Sequence, residues 1–125
     1  MKVNIKHISN LHSDALRGLD FYKQELGFLQ ERLQEVAGDN TGEEVEKQIG
    51  HFQDQFIIHG QRIDELNHEI QKNQRDLGYE LEHSDGFAEE GTLTANEDLY
   101  EQYVIEERLF NEMRHEFNRF AAKWM

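Results

Sequence analysis

Apolar residues recur along this chain at alternating steps of three and four, in three long stretches separated by two glycine-containing polar breaks. The first seam runs Ile8, His12, Ala15, Leu19, Tyr22, Leu26, Leu29, Leu33 and Val36. The second runs Val45, Ile49, Phe52, Phe56, His59, Ile63, Leu66, Ile70, Asn73 and Leu77, and the third Leu99, Tyr103, Glu106, Phe110, Met113, Phe117, Phe120 and Trp124. Such a heptad rhythm puts one narrow apolar stripe on each helix. It predicts helices over about 8–37, 42–82 and 95–124, the second about 60 Å long at 1.5 Å per residue.

The breaks carry their own chemistry. Gly38 is suited to the left-handed conformation that ends a helix, and Thr41 with Glu44 forms a capping box for the next one. Thr94 with Glu97 offers a second capping box, so residues 83–94 read as a loop. A short linker between the first two helices makes them antiparallel neighbours. The expected fold is all-α: one antiparallel three-helix bundle of long, coiled-coil-like helices spanning 1–125, associating into a larger bundle.

Facing positions in this arrangement stack into layers. The register predicted from the linkers pairs Ile8 with Ile70 and Glu106, His12 with Leu66 and Phe110, and Ala15 with Ile63 and Met113. It continues with Leu19, His59 and Phe117, then Tyr22, Phe56 and Phe120, then Leu26, Phe52 and Trp124. Four polar residues, His12, His59, Asn73 and Glu106, interrupt the seams and should be buried. An unpaired buried polar group costs about 1–3 kcal/mol, so each needs a partner. The predicted register offers His12 to Glu106, Asn73 to the neighbourhood of Tyr103, and His59 to Tyr22 or water. Their simplest role is to fix register.

Composition supports helix, since proline is absent over 125 residues. Cysteine is absent too, which removes disulfides and thiolate chemistry and fits a reducing compartment. With no signal-like or spanning apolar run, the cytoplasm is the expected location and no membrane association is expected. A formal charge of −13 argues against nucleic acid. Between Arg75 and Arg108 there is no Lys or Arg, so the acidic 76–107 region is a candidate surface for a basic protein partner.

Three Glu-x-x-His pairs occur, at Glu65/His68, Glu80/His83 and Glu112/His115. Two such pairs on facing helices help to build the di-iron site of ferritin-like bundles, and the predicted register puts Glu65 level with Glu112. The seam passes through Leu66 and Met113, however, so Glu65, His68, Glu112 and His115 are expected on the outer face. His59 and Asp64 have a His-x4-Asp spacing that resembles one element of the hemerythrins, four-helix di-iron oxygen carriers. The remaining ligands of that family have no counterpart here, and only three helices are predicted. A divalent metal or iron is therefore the alternative expectation, with no cofactor as the favoured one. The few Ser and Thr residues fall at caps or in loops, without a nucleophile-elbow setting.

Phe21 and Phe28 on the first helix and Ile57 and Ile58 on the second lie outside the seams, as do Val104, Ile105 and Leu109 on the third. Clustered apolar residues on a surface mark contacts. The sequence thus predicts a non-enzymatic interaction protein, homo-oligomeric through Phe21, Phe28, Ile57 and Ile58, with a metal-binding bundle as the alternative.

Overall fold

The computed structural model describes residues 5–83 and 88–125, with the side chains of residues 5–9, Ile8 among them, outside the description. The described residues form three helices: α1 (Ile5–Asp39), α2 (Glu43–His83) and α3 (Glu90–Trp124). Each packs against both others, so the fold is an all-α three-helix bundle with its core along the common axis. No described helix is long and apolar enough to cross a membrane. Tyr22 packs on Phe110, Gly18 lies against Tyr103, and Asn40 reaches Trp124. Positions on α1 and α3 therefore advance together: these helices are parallel, and α2 runs antiparallel to both. At Gly18 any Cβ would collide with the Tyr103 hydroxyl, so glycine is what allows that ring to lie across α1.

The helix ends differ from those expected. Gly38 stays inside α1, and the positive φ falls instead at Gly42, at 141°, where only glycine is comfortable. Glu46 N–H donates to the Gly42 carbonyl at 3.1 Å, which makes Gly42, rather than Thr41, the residue that opens α2. Glu43, Glu44 and Glu46 then place negative charge in its first turn, where the helix dipole favours it. Asn40 closes the same corner: its amide donates to the carbonyls of Val36 and Trp124, both at 2.9 Å, tying the C-terminal ends of α1 and α3 together.

α3 starts at Glu90, about a turn earlier than the Thr94 capping box implies, and the loop is correspondingly shorter than 83–94. Glu89, its N-cap residue, makes no side-chain cap. The cap comes from α2: Glu80 Oε1 accepts from Glu89 N–H at 2.8 Å and from the Thr92 hydroxyl at 2.9 Å. A tertiary carboxylate thus does what the local motif was expected to do, and Thr94 becomes an ordinary exposed position within the helix.

The register is also different, by about one heptad in both helix pairs. His59 stacks edge-on against Phe110, 5.6 Å between centroids, rather than lying with Phe117. Phe52 meets Phe117 and Phe120 at 5.3 and 5.0 Å, and Tyr22 meets Phe110, not Phe120, at 4.8 Å. Leu26 lies against Gly60 instead of Phe52. A seven-residue slip returns every a and d position to another a or d position, so the seams remain apolar in either register.

Candidate functional site

The slip re-partners every polar residue of the seams. His12, His59, Asn73 and Glu106 are all buried, Glu106 with only 1% of its surface exposed. His12 does not meet Glu106, nor Asn73 Tyr103, nor His59 Tyr22. The structure pairs His12 with Asn73 and His59 with Glu106.

Two separate networks result. In the first, Asn73 Nδ2 donates to the Thr92 carbonyl at 3.1 Å, which leaves Oδ1 facing His12 Nε2 at 2.8 Å. An amide oxygen only accepts, so the His12 hydrogen sits on Nε2. Thr92 donates in turn to Glu80, so a continuous chain of hydrogen bonds joins α1, α2 and the first turn of α3. Burial pushes the His12 pKa below its ordinary value, with the Asn73 bond opposing part of that shift. The folded state therefore binds fewer protons than the unfolded state between the lowered pKa and about 6.5. The His12 contribution to stability is complete above about 6.5 and is lost as pH falls through the folded value. Denaturant midpoints measured across this window should decline with acid, and less so in a His12→Gln variant; equal slopes in the two proteins would refute the assignment.

In the second network, His59 Nδ1 donates to both oxygens of Glu106, at 3.0 and 2.8 Å. Arg62 Nε stands 3.9 Å from the same carboxylate, with its side chain about half exposed. His59 and Glu106 form the floor of a cleft of about 250 Å³ between α2 and α3, whose walls include Ile58, Leu109, Glu112 and Glu116. Each member of the pair is supplied by a different helix, His59 by α2 and Glu106 by α3. The pair is built as a polar tie between two helices.

Among the described residues two more polar side chains are buried, Glu80 and Asn96. Glu80 lies beyond Leu77, the last predicted position of the second seam, and Asn96 lies between Thr94 and Glu97 of the predicted capping box. Both continue the three-and-four rhythm, Glu80 three residues after Leu77 and Asn96 three before Leu99, and that spacing was the available signal. Glu80 Oε2 and Asn96 Oδ1 have no hydrogen-bond partner among the described residues.

The candidate metal ligands do not converge. Glu65, His68, Glu112 and His115 are all exposed. In the observed register Glu65 shares a cleft with Gln102, whereas Glu112 shares one with His59, so the expected common level of the two glutamates is lost. Asp64 points away from the core to pair with Lys23, while His59 turns inward, so the hemerythrin-like spacing assembles no common site. Among the described residues no group of three or more His, Asp or Glu could hold a metal ion.

The off-seam apolar residues Phe21, Phe28, Ile57, Ile58, Val104 and Ile105 are exposed and Leu109 is half-buried, but they do not form one strip. Phe21 was expected level with Ile58; the structure sends them to different flanks. Phe21 lies one helical turn from Gly18 and Glu25, which meet Tyr103 and Arg114, and Phe28 lies beside Glu25 on the same α3-facing side of α1. Val104 joins them from α3, two turns before Asn111, whose amide donates to the Tyr22 hydroxyl. Ile57 instead lines the α1–α2 groove with Leu33 and Ala37, and Ile58 lines the α2–α3 cleft. The acidic 76–107 region is likewise divided: Glu80 and Glu106 are buried in the networks above, and Asp76 and Asp98 line the α2–α3 groove.

These features define a three-helix bundle with a polar-tied core and side chains available on its outside. No family model, no curated protein and no solved structure matches the chain.

Proposed function

We propose that this chain is a non-enzymatic interaction protein that self-associates through the flank shared by α1 and α3. The observation that carries the reading is the exposure there of three large apolar side chains, Phe21 at 52%, Phe28 at 64% and Val104 at 46%. Single exposed apolar residues are normal on a protein surface, but two phenylalanines one heptad apart with a valine on the same flank are not scattered. The helices behind them are linked by the Tyr22–Asn111 bond and the Glu25–Arg114 ion pair at 3.7 Å. A preorganised apolar flank of this kind suits an isologous contact in which each copy presents the same patch to the other.

Aromatic residues at the centre of an interface carry a disproportionate share of its energy. Sedimentation velocity of the chain should show a concentration-dependent dimer, and a Phe21→Ser/Phe28→Ser variant should weaken it by at least about tenfold in Kd, about 1.4 kcal/mol. A chain that stays monomeric at millimolar concentration, or a variant that dimerises as well as its parent, would remove this reading.

A further inference from the structure

The α2–α3 face has a different character from the flank just described. Its depressions form one groove: Arg62 is common to the cleft above His59–Glu106 and to the next hollow, and Glu69 and Gln102 are common to that hollow and a third. From Gln55 to Asp76 along α2 the groove is about 30 Å long at 1.5 Å per residue, the length of a helix of about 20 residues. Six exposed carboxylates line it, Glu65, Glu69, Asp76, Asp98, Glu112 and Glu116, against two cations, Arg62 and Lys72. Among the described residues only Glu112 of the six has a cationic group within 4 Å, Arg108 at 3.9 Å. Ile58 and Leu109 supply apolar lining at one end, and Leu99 and Ala95 at the other.

We infer that this groove is a docking site for a basic amphipathic helix of a partner protein, seated as a fourth helix of the bundle. The inference rests on reading the chain as an interaction protein and names a second partner class at a separate surface. Charge complementarity selects the occupant: the groove carries an excess of negative charge, so Lys and Arg flanking an apolar stripe match it while a second copy of this acidic chain does not. The α1–α2 groove, lined by Gln30, Gln34 and Gln53 with a single carboxylate, Asp54, has no comparable field. A groove between two helices presents the ridges against which a further helix packs, and its apolar ends give the incoming stripe two anchoring points.

Fluorescence anisotropy tests this with the full chain and a labelled synthetic peptide of about 20 residues, Leu at heptad a and d positions and Lys and Arg elsewhere. A scrambled peptide of the same composition and a charge-reversed one serve as controls. The expected result is binding at least about tenfold tighter than to the scrambled peptide, weakened at least about tenfold between about 50 and 500 mM salt. A Glu65→Lys/Glu69→Lys variant should lose at least about tenfold in affinity, while Phe21→Ser/Phe28→Ser keeps it. Equal binding of the scrambled peptide would reduce the effect to bulk attraction by an acidic chain and overturn the proposal. So would unchanged affinity in the Glu65/Glu69 variant, or no binding at about 100 μM peptide. Loss of peptide binding in the Phe21/Phe28 variant would move the contact to the other flank, ending the groove proposal while sparing the interaction reading. Monomeric behaviour of the parent chain combined with tight peptide binding would do the reverse.

Discussion

Replacing Glu106 by alanine is expected to destabilise the bundle by about 3–5 kcal/mol, because it strands the buried His59 ring without its acceptor and leaves a void between α2 and α3. That is a large part of the 5–15 kcal/mol typical of a whole domain. The companion variant His59→Leu/Glu106→Leu should recover most of the loss or exceed the parent, since two apolar residues of similar volume satisfy the site without desolvating a polar pair. Urea melts of the single and double variants decide the matter. A Glu106→Ala loss below about 1 kcal/mol, or a double variant as unstable as the single one, would show that the pair is not the tie between these helices. The comparison also separates stability from specificity. If the double variant is stable but adopts more than one register or oligomeric state, the pair's role lies in choosing the register.

The second large effect concerns Phe117. Its ring is fully buried and meets Phe52 at 5.3 Å and Phe56 at 5.4 Å, in a cluster that extends to Phe120. Phe117→Ala should cost about 3–5 kcal/mol through lost burial and the cavity left among rings that cannot collapse onto it. Phe28→Ala, on the exposed flank, should change monomer stability by less than about 0.5 kcal/mol. Thermal or chemical melts at a concentration too low for self-association give both numbers. Similar costs at the two positions would mean that Phe28 is packed against something within its own chain.

The outward direction of Glu65, His68, Glu112 and His115 was legible in the sequence because it depends only on where Leu66 and Met113 sit in their own helices. The same local logic marked His12, His59, Asn73 and Glu106 as seam positions. It failed at helix ends wherever the cap was supplied from elsewhere. Thr94 with Glu97 is a sound capping box, yet α3 begins a turn earlier because the Glu80 carboxylate reaches across from α2 to the backbone of Glu89. Gly38 was the left-handed candidate, yet the positive φ falls at Gly42, after Asn40 has closed the corner with Val36 and Trp124.

By itself, then, the sequence determined three helices, their apolar seams and which residues face inward, all of which follow from the angular period of a helix and the cost of exposing apolar side chains. Only the tertiary structure decided which polar residue meets which, and which flank each outward residue shares with a neighbour. A heptad pattern is unchanged by a slide of seven residues, so the apolar layers cannot distinguish one register from the next. His12 with Asn73, and His59 with Glu106, exist in one register only, whereas the placing of the three helices around their axis divides Phe21, Phe28, Ile57 and Ile58 among three flanks and sets six carboxylates along the α2–α3 groove.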